Sequence, residues 1–186
     1  YENGRYYFEG TVNGAAAAVR MIAQRFGVED IKTELPEWLA RIDSPTLFIN
    51  TVGGLGAPWW RSGPDAYFLD EPEDSAEALV AVVESIVFLL QANIERLCRH
   101  NPSIQTIRVS GGLSNLDGLC QRRADLSGLA VHRPVQVDAT ARGVAWQAAG
   151  EPDDWPASGA GKTFTAEKNT ALQARYLHFT DILKTL

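Results

Sequence analysis

The chain has 186 residues, enough for one domain with a sizeable core, and 45% of them are hydrophobic and 22% charged, as in typical soluble globular proteins. Its formal net charge is -6, from 17 basic and 23 acidic residues, which argues against a broad surface for nucleic acid. A small anionic ligand is still compatible with that charge, because backbone amides at a helix N-terminus bind phosphate without net positive charge. No apolar run approaches the roughly 20 residues that cross a bilayer, and no signal-peptide pattern opens the chain. We therefore expect a cytoplasmic protein that does not contact a membrane.

The cysteines and histidines predict neither a disulfide nor a metal site. Cys98 and Cys120 each lie in a helical apolar pattern, which favours buried, reduced thiols over a disulfide. The three histidines lack metal-ligand spacing, so no zinc site is predicted. The only methionine is Met21 and the chain opens at Tyr1, which favours a fragment of a longer protein over a processed N-terminus.

The first part of the sequence predicts four elements in chain order: a strand at 5–10, a helix at 14–26, a short helix entered through proline at 36–42, and a strand at 46–50. Small side chains at Ala15–Ala18 allow close approach, either of a neighbouring element or of a ligand. The stretch 53–64 is rich in glycine and proline, and irregular connections of this length are often functional. Its Trp59 and Trp60 either cover the core or face the rest of a longer chain.

The second part predicts helices alternating with strands: a helix at 75–99, a strand at 104–109, a helix capped by Ser114 or Asn115 and ending at about Ser127, a short strand near Val131, a helix at 139–149, a loop at 150–164 and a tail helix at 165–186. Helix 75–99 gives the strongest signal, because its apolar residues form one stripe at steps of three and four. The alternation predicts a single layered α/β domain over 1–186. Its mixed sheet is expected to contain the strands near 5–10, 46–49 and 104–109, with the last at the centre.

Paired glycines, Gly111 and Gly112, separate strand 104–109 from the helix behind it. They allow a sharp turn and let a ligand lie against the peptide plane, and we expect Gly112 to adopt a φ that suits only glycine. The amides at the start of the next helix favour a phosphate or the polar edge of a nucleotide. A glycine pair between strand and helix is also a common plain turn. It matches neither the dinucleotide fingerprint nor the P-loop, so both interpretations stay open.

Several segments read together resemble the glycerol kinase–xylulokinase (FGGY) family of carbohydrate kinases. The matching segments are Ser110-Gly111-Gly112 with Gln121, Ala124-Asp125, Gly128, Val131 and Arg133-Pro134 for the family's D-G-G loop and the helix and strand behind it; Ala139-Thr140-Ala141-Arg142-Gly143-Val144-Ala145 for its T-A-L-G-A-A helix; Gly54-Leu55-Gly56-Ala57-Pro58-Trp59-Trp60 for its G-L-G-A-P-Y-W; Glu84-Ser85-Ile86-Val87-Phe88 for its L-E-[SG]-I-A-[FY]; and Glu9-Gly10 for its L-E-G. They follow the family's order and cover essentially the whole chain.

The resemblance implies a fold and a nucleotide site. FGGY kinases have two actin-like domains of ribonuclease-H-like fold, with ATP and the sugar in the cleft between them. This chain then corresponds to the C-terminal domain, an α/β domain whose mixed sheet is flanked by helices and which supplies a wall of the adenosine pocket. The implied contacts to the nucleotide are Gly111, Gly112, Leu113, Asn115 and Leu116 in the glycine loop, and Ala16 and Arg20 at the start of the first helix.

Some positions depart from the family pattern. Ser110 stands where the pattern has Asp, and Arg142 stands where it has Leu. Leu116 occupies the place of a base-contacting Asn, with Asn115 adjacent, while Ala16 and Arg20 replace Gly and Gln. These changes suit an alternative function, a non-catalytic actin-like domain that binds nucleotide or acts as a scaffold.

The resemblance also implies what this chain lacks. The aspartate that acts as general base in a G-D-Q-like segment and the phosphate-holding D-x-G-T and T-G-T loops do not occur in this sequence. We expect them, with most ligands of Mg²⁺ and of the sugar, in a missing N-terminal domain. The implied reaction is ATP-dependent phosphorylation of a sugar or polyol hydroxyl, with no catalytic residue and no metal ligand in this part and no activity of the part alone. A homodimer is left open.

Overall fold

In the computed structural model of the protein, residues 7–157, 159 and 161–186 are described. The chain forms two compact units. The first, here called the helical unit, consists of Tyr1–Ile104 and Asn169–Leu186, and the second, the sheet unit, is Gln105–Lys168. That the two units make one functional domain over 1–186 stays a prediction.

The helical unit contains four helices and a pair of short strands in its described part. Its elements are α1 (Ala15–Phe26), α2 (Ile31–Arg41), β1 (Phe48–Ile49), β2 (Tyr67–Phe68), α3 (Ser75–His100) and, after the sheet unit, α6 (Thr170–Thr185). β1 and β2 pair antiparallel, with Phe48 opposite Phe68. The strand predicted at 5–10 falls partly outside the described residues, and its remainder, 7–10, does not form a strand, so that prediction is wrong there.

Helix α3 is the core of the helical unit and packs against α1, α2 and α6. It begins where predicted, because the Asp74 carboxylate accepts a hydrogen bond of 2.8 Å from the Glu77 amide and caps the first turn. Its apolar stretch has a mean hydropathy of 1.7, and the helix is long and apolar enough to cross a membrane. The expectation that no apolar run approaches membrane-spanning length is therefore wrong. Since 83% of that stretch is buried within the fold, the helix has the surroundings of a core helix.

Two other helix boundaries differ from the prediction. α2 begins at Ile31 because Asp30 accepts a hydrogen bond of 3.2 Å from the Thr33 amide, and Pro36 therefore lies inside the helix instead of opening it. α6 begins at Thr170, not at 165, because Asn169 caps it by accepting from the Leu172 amide at 2.9 Å. In both cases a side-chain cap fixes the start.

The sheet unit has three strands and two α-helices in its described residues. In chain order they are β3 (Thr106–Arg108), a 3₁₀ turn (Gly112–Asn115), α4 (Asp117–Ser127), β4 (Ala130–Arg133), α5 (Ala139–Ala148) and β5 (Lys162–Phe164). β3 and β4 are parallel and β4 and β5 are antiparallel, so the sheet is mixed, as expected. The order is β3-β4-β5. The prediction that 104–109 would be central is wrong for the described residues: the strand predicted at 46–49 pairs with β2 in a separate sheet, and 7–10 forms no strand. The segment predicted as a loop at 150–164 supplies β5 on the other side of β4.

The core of the sheet unit lies between the sheet and α4. Val131 of β4 and Phe164 of β5 are opposite one another and buried, as are Leu119, Cys120 and Ala124 on α4. α5 has no buried residue, in contrast to α4. One surface of α5 is therefore available to line a cavity.

Candidate functional site

The glycine loop follows β3 directly and is tied to the sheet unit by short hydrogen bonds. The Gly111 amide donates to the Val137 carbonyl at 2.7 Å. The Ser114 amide and hydroxyl both donate to the Gly111 carbonyl, at 3.0 and 2.6 Å. Ser114 is buried, so it acts as the internal brace of the loop and does not offer its hydroxyl to a ligand.

The two glycines have different backbone conformations. Gly111 has a φ of 87°, in the left-handed region that favours glycine. Gly112 does not lie in that region, so the expectation of a glycine-only φ at Gly112 is wrong and applies to Gly111 instead. A Cβ on either residue would meet no protein atom within 4 Å. The fold of the sheet unit therefore gives no steric reason for glycine at 112, and the space beside it is open.

The remaining loop residues lie within the same turn. Asn115 is exposed, and Leu113 and Leu116 are half-buried. In the part of the chain that the structure describes, the amides of Gly112 and Leu113 donate no hydrogen bond. Five of the predicted contacts are thus brought together, with two free donors, one amide side chain and two apolar side chains around an open space.

Helix α4 starts later than predicted, and its first turn carries a negative charge. It begins at Asp117, three residues after the predicted start at Ser114, since the chain between them forms the 3₁₀ turn. The Asp117 carboxylate pairs with Arg133 at 2.8 Å and with Lys162 at 2.5 Å. The hydrogen bond from Lys162 is the main cause that lowers the pKa of Asp117. The first turn of α4 therefore carries a carboxylate, which disfavours a phosphate there.

Arg133 holds the glycine loop in place through a hydrogen bond, a role that the sequence did not reveal. Its guanidinium donates to the Ser114 carbonyl at 2.7 Å while also pairing with Asp117. The Cys120 thiol donates to the same carbonyl at 3.3 Å. The Arg133-Pro134 match to the family pattern was the available signal, but the pattern did not specify the partner.

Both cysteines are free thiols, as predicted. Cys120 is fully buried, and burial raises the pKa of its thiol. Cys98 is only partly buried, so the prediction of burial is wrong for that residue.

The other two predicted contacts lie on α1 of the helical unit. Ala16 and Arg20 are one turn apart and both exposed, so they share the outward face of α1. Gly14, just before the helix, has a φ of 65°, and a Cβ there would lie 2.2 Å from the Val52 carbonyl oxygen. This contact requires glycine and fixes the start of α1. That Ala16 and Arg20 join the loop residues in one site stays a prediction.

Residues 1–150 match the profile of the FGGY family of carbohydrate kinases, C-terminal domain. This chain belongs to the FGGY family. It is similar to glycerol kinase from Sinorhizobium fredii, with 37% identity over 164 residues that cover 81% of this chain and 32% of that protein. It is also similar to glycerol kinase from Synechocystis sp., with 34% identity over 149 residues, 77% of this chain and 30% of that protein. The FGGY chain thus spans about a third of the length of these relatives.

Solved structures confirm the fold class. The structure of Plasmodium falciparum glycerol kinase with ADP is similar with a TM-score of 0.77 at 17% identity, covering 94% of this chain and 37% of that one. Xylulose kinase from Rhodospirillum rubrum is similar with a TM-score of 0.73 at 18% identity, over 92% of this chain and 38% of that one. The FGGY chain is therefore an α/β protein with the actin-like ATPase, ribonuclease-H-like fold, as the resemblance implied.

Trp59 and Trp60, which were expected either to cover the core or to face the rest of a longer chain, differ in their exposure. Trp60 is 66% exposed, so it does not cover the core, whereas Trp59 is half-buried. Both amides donate to the Gly56 carbonyl at 2.9 Å, which makes the turn compact. That Trp60 faces another part of a longer FGGY protein stays a prediction.

The described residues of the FGGY chain contain no group of three or more His, Cys, Asp or Glu side chains that could hold a metal ion. The carboxylate nearest the glycine loop, Asp117, is committed to Arg133 and Lys162. The described residues therefore do not fit a Mg²⁺ site.

Proposed function

We propose that this chain acts as the C-terminal domain of an ATP-dependent kinase that phosphorylates a sugar or polyol hydroxyl, and that its glycine loop binds the adenosine part of the nucleotide. The family match over residues 1–150 and the similarity to proteins named glycerol kinase support the reaction. The name of one structural neighbour includes ADP, which is consistent with nucleotide use by that protein.

One observation carries the assignment of the loop. Gly112 has neither a left-handed φ nor a neighbouring atom that a Cβ would strike, so the fold tolerates a side chain there. The same open space is next to the free amides of Gly112 and Leu113. A glycine that the fold does not need, beside unused donors, is explained by a ligand that lies against the backbone.

The character of the loop favours the adenosine over the phosphates. Leu113 and Leu116 offer apolar surface to a ribose or base, and the Asn115 amide provides both a donor and an acceptor. The Asp117 carboxylate opposes an anion at the start of α4, although Arg133 and Lys162 balance its charge. Ala16 and Arg20 on α1 are proposed as further nucleotide contacts.

The chemistry of transfer is proposed to come from the rest of the kinase. Phosphoryl transfer needs in-line positioning and neutralisation of charge, which Mg²⁺ supplies when bound. The general base, the loops that hold the phosphates and the sugar contacts are assigned to an N-terminal domain. This domain, the choice of acceptor, and a cytoplasmic location are parts of the same proposal.

Gly112→Val in the intact kinase tests the loop assignment. We expect the Michaelis constant for ATP to rise by about tenfold or more, because the new side chain fills the space of the nucleotide, while that for the acceptor changes little. Ala148→Val, an exposed substitution on α5, is the matched control and should leave both constants unchanged. An unchanged Michaelis constant for ATP in a folded Gly112→Val enzyme would show that the loop does not hold the nucleotide.

The reaction itself needs a separate assay. The intact protein is incubated with ATP and Mg²⁺ and with glycerol, xylulose or gluconate, the acceptors in the names of the structural neighbours. Phosphorylation of any of them supports the kinase. Retained nucleotide binding with no turnover on a broad panel of sugars and polyols would favour the non-catalytic alternative.

A further inference from the structure

The sheet unit contains a cavity of about 470 Å³ between the end of β3, the segment after β4, and α5. Its polar lining residues are Arg108, Ser110, Gln136 and Arg142, and its apolar walls include Val109, Pro134, Trp146 and Trp155. None of the residues Gly111–Leu116 lines it. The cavity adjoins the glycine loop at Ser110, but none of the proposed nucleotide contacts lines it, and its volume is that of a small-molecule site.

One guanidinium at the cavity is held in place. Arg142 donates to the Gln136 side-chain oxygen at 2.9 Å and lies over the Trp155 ring, 5.6 Å from its centroid. Trp146 is itself fixed by a hydrogen bond of 3.2 Å from its indole N–H to the Pro152 carbonyl. An arginine has five N–H donors in a rigid plane, so Arg142 has unused donors in a fixed orientation.

The second guanidinium is unpaired. Arg108, at the end of β3, is exposed and makes no ion pair or hydrogen bond with a side chain in the described part of the chain. None of the residues named as lining the cavity is acidic. Two guanidiniums without a carboxylate give the cavity a net positive charge.

We propose that this cavity binds a small organic anion, with a phosphate or carboxylate group against Arg108 and Arg142 and a planar or apolar body against Trp146 and Pro134. Arginine pairs bind such groups through bidentate, charge-assisted hydrogen bonds. The apolar walls exclude water from one side of the ligand. The proposal does not depend on the proposed kinase reaction, because none of the residues Gly111–Leu116 lines the cavity.

The test measures binding of phenyl phosphate and of phenol to the 186-residue chain by calorimetry at low salt. Phenol is the matched neutral probe, since it keeps the ring and lacks the anion. We expect phenyl phosphate to bind at least about tenfold more tightly than phenol, the contribution of a charge-assisted hydrogen bond. Inorganic phosphate alone should bind more weakly than phenyl phosphate because it makes no contact with the apolar walls.

Variants locate the site. Arg108→Gln and Arg142→Gln should each weaken phenyl phosphate binding by about tenfold, and Ser110→Asp should weaken it through repulsion. Arg41→Gln, an exposed arginine of the helical unit, is the control and should bind as the wild type does. Gly112→Val should also leave phenyl phosphate binding unchanged, which separates this site from the nucleotide loop.

The proposal is overturned by any of three results: equal affinity for phenol and phenyl phosphate, no binding of phenyl phosphate at millimolar concentration, or unchanged affinity in the Arg108→Gln variant. A loss of binding in Gly112→Val with none in Arg108→Gln would place the anion on the glycine loop instead. If Arg142→Gln fails to fold because its stacking on Trp155 is lost, Arg108→Gln and Ser110→Asp decide, since both positions are exposed.

Discussion

Arg175 of α6 and Glu84 of α3 form a two-pronged ion pair, with Nε–Oε1 at 2.6 Å and Nη2–Oε2 at 2.9 Å. Glu84 is only 1% exposed. The same guanidinium also donates to the Ser44 hydroxyl at 3.0 Å and to the Asp43 carbonyl at 2.7 Å. Arg175 of α6 therefore neutralises the buried Glu84 carboxylate of α3 and also holds the segment 43–44, before β1, by hydrogen bonds.

Breaking this pair should destabilise the helical unit strongly. Arg175→Met leaves the buried Glu84 carboxylate without its main cation, and we expect a loss of about 3–5 kcal/mol in the free energy of unfolding. Glu84→Met combined with Arg175→Met should recover most of that loss, because it removes both charges. Urea unfolding of the single and double variants measures the difference.

Helix α6 offers its own control for the ion pair. Lys184 and Asp181 pair at 2.7 Å with both side chains about 70% exposed. Lys184→Met should change the free energy of unfolding by less than about 1 kcal/mol. Similar effects of Arg175→Met and Lys184→Met would mean that burial does not distinguish the two pairs.

The two glycines of the loop should respond differently to substitution. Gly111→Ala places a side chain on a φ of 87° and should destabilise the sheet unit by about 1–2 kcal/mol. Gly112→Ala meets no atom and no left-handed φ, so thermal unfolding should change by less than about 0.5 kcal/mol. A larger loss at Gly112 than at Gly111 would contradict the loop geometry.

The sequence predicted the fold of this chain better than it predicted strand order. Long periodic helices such as α3 were predicted because their apolar stripe is a local signal. β5 was missed because a three-residue strand between polar residues has no usable period, and its pairing with β4 is decided 31 residues away at His132 and Thr163. β3 was expected at the centre because strands near 5–10 and 46–49 were expected in the same sheet, whereas β1 pairs with β2 in a separate one.

Acid should weaken the sheet unit through Asp117. The hydrogen bond from Lys162 lowers the pKa of this carboxyl in the folded chain, so the folded state binds a proton less readily than the unfolded state. Its contribution is therefore present above the ordinary aspartate value of about 3.9 and is lost as pH falls through the lower folded pKa. Because Asp117 is half-exposed, the effect should not exceed about 1 kcal/mol.

Asp117→Asn measures that contribution directly. At neutral pH the variant should be less stable than the wild type, and the difference in the free energy of unfolding should shrink as the pH falls below about 4. A difference that grows in acid would reverse the sign of the argument. Asp65→Asn, at an exposed position of the helical unit, is the control.

Trp60 holds an exposed ring on a strained backbone. Its φ of 51° is in the left-handed region, where asparagine is tolerated and tryptophan is not favoured. Trp60→Asn should leave the free energy of unfolding unchanged or raise it by up to about 1 kcal/mol, as measured by thermal unfolding. Trp59→Asn should lower it, because Trp59 is half-buried. A loss of several kcal/mol at Trp60 would mean that its ring packs in the core.

Only the part of the candidate site that lies within one short stretch of sequence could be predicted. The glycine pair was noticed because it is a short-range pattern between strand and helix, and its role, with the contacts of Leu113, Asn115 and Leu116, came from the resemblance to the FGGY family. The brace formed by Ser114 and Arg133 joins residues 19 positions apart and depends on how β4 lies beside β3, which no local pattern specifies. The left-handed φ was assigned to the wrong glycine because sequence alone does not say where the turn reverses.

The parallel pairing of β3 with β4 leaves the other edge of β3 without a strand among the described residues. Such an edge presents unpaired amides and carbonyls on which a second molecule can build its own strand. Arg108 is on this edge strand and has no ion-pair partner among the described residues, and a charged side chain on an edge strand disfavours such pairing. We therefore expect the positive charge of Arg108 to disfavour self-association, and light scattering of Arg108→Gln should reveal larger particles than the wild type forms.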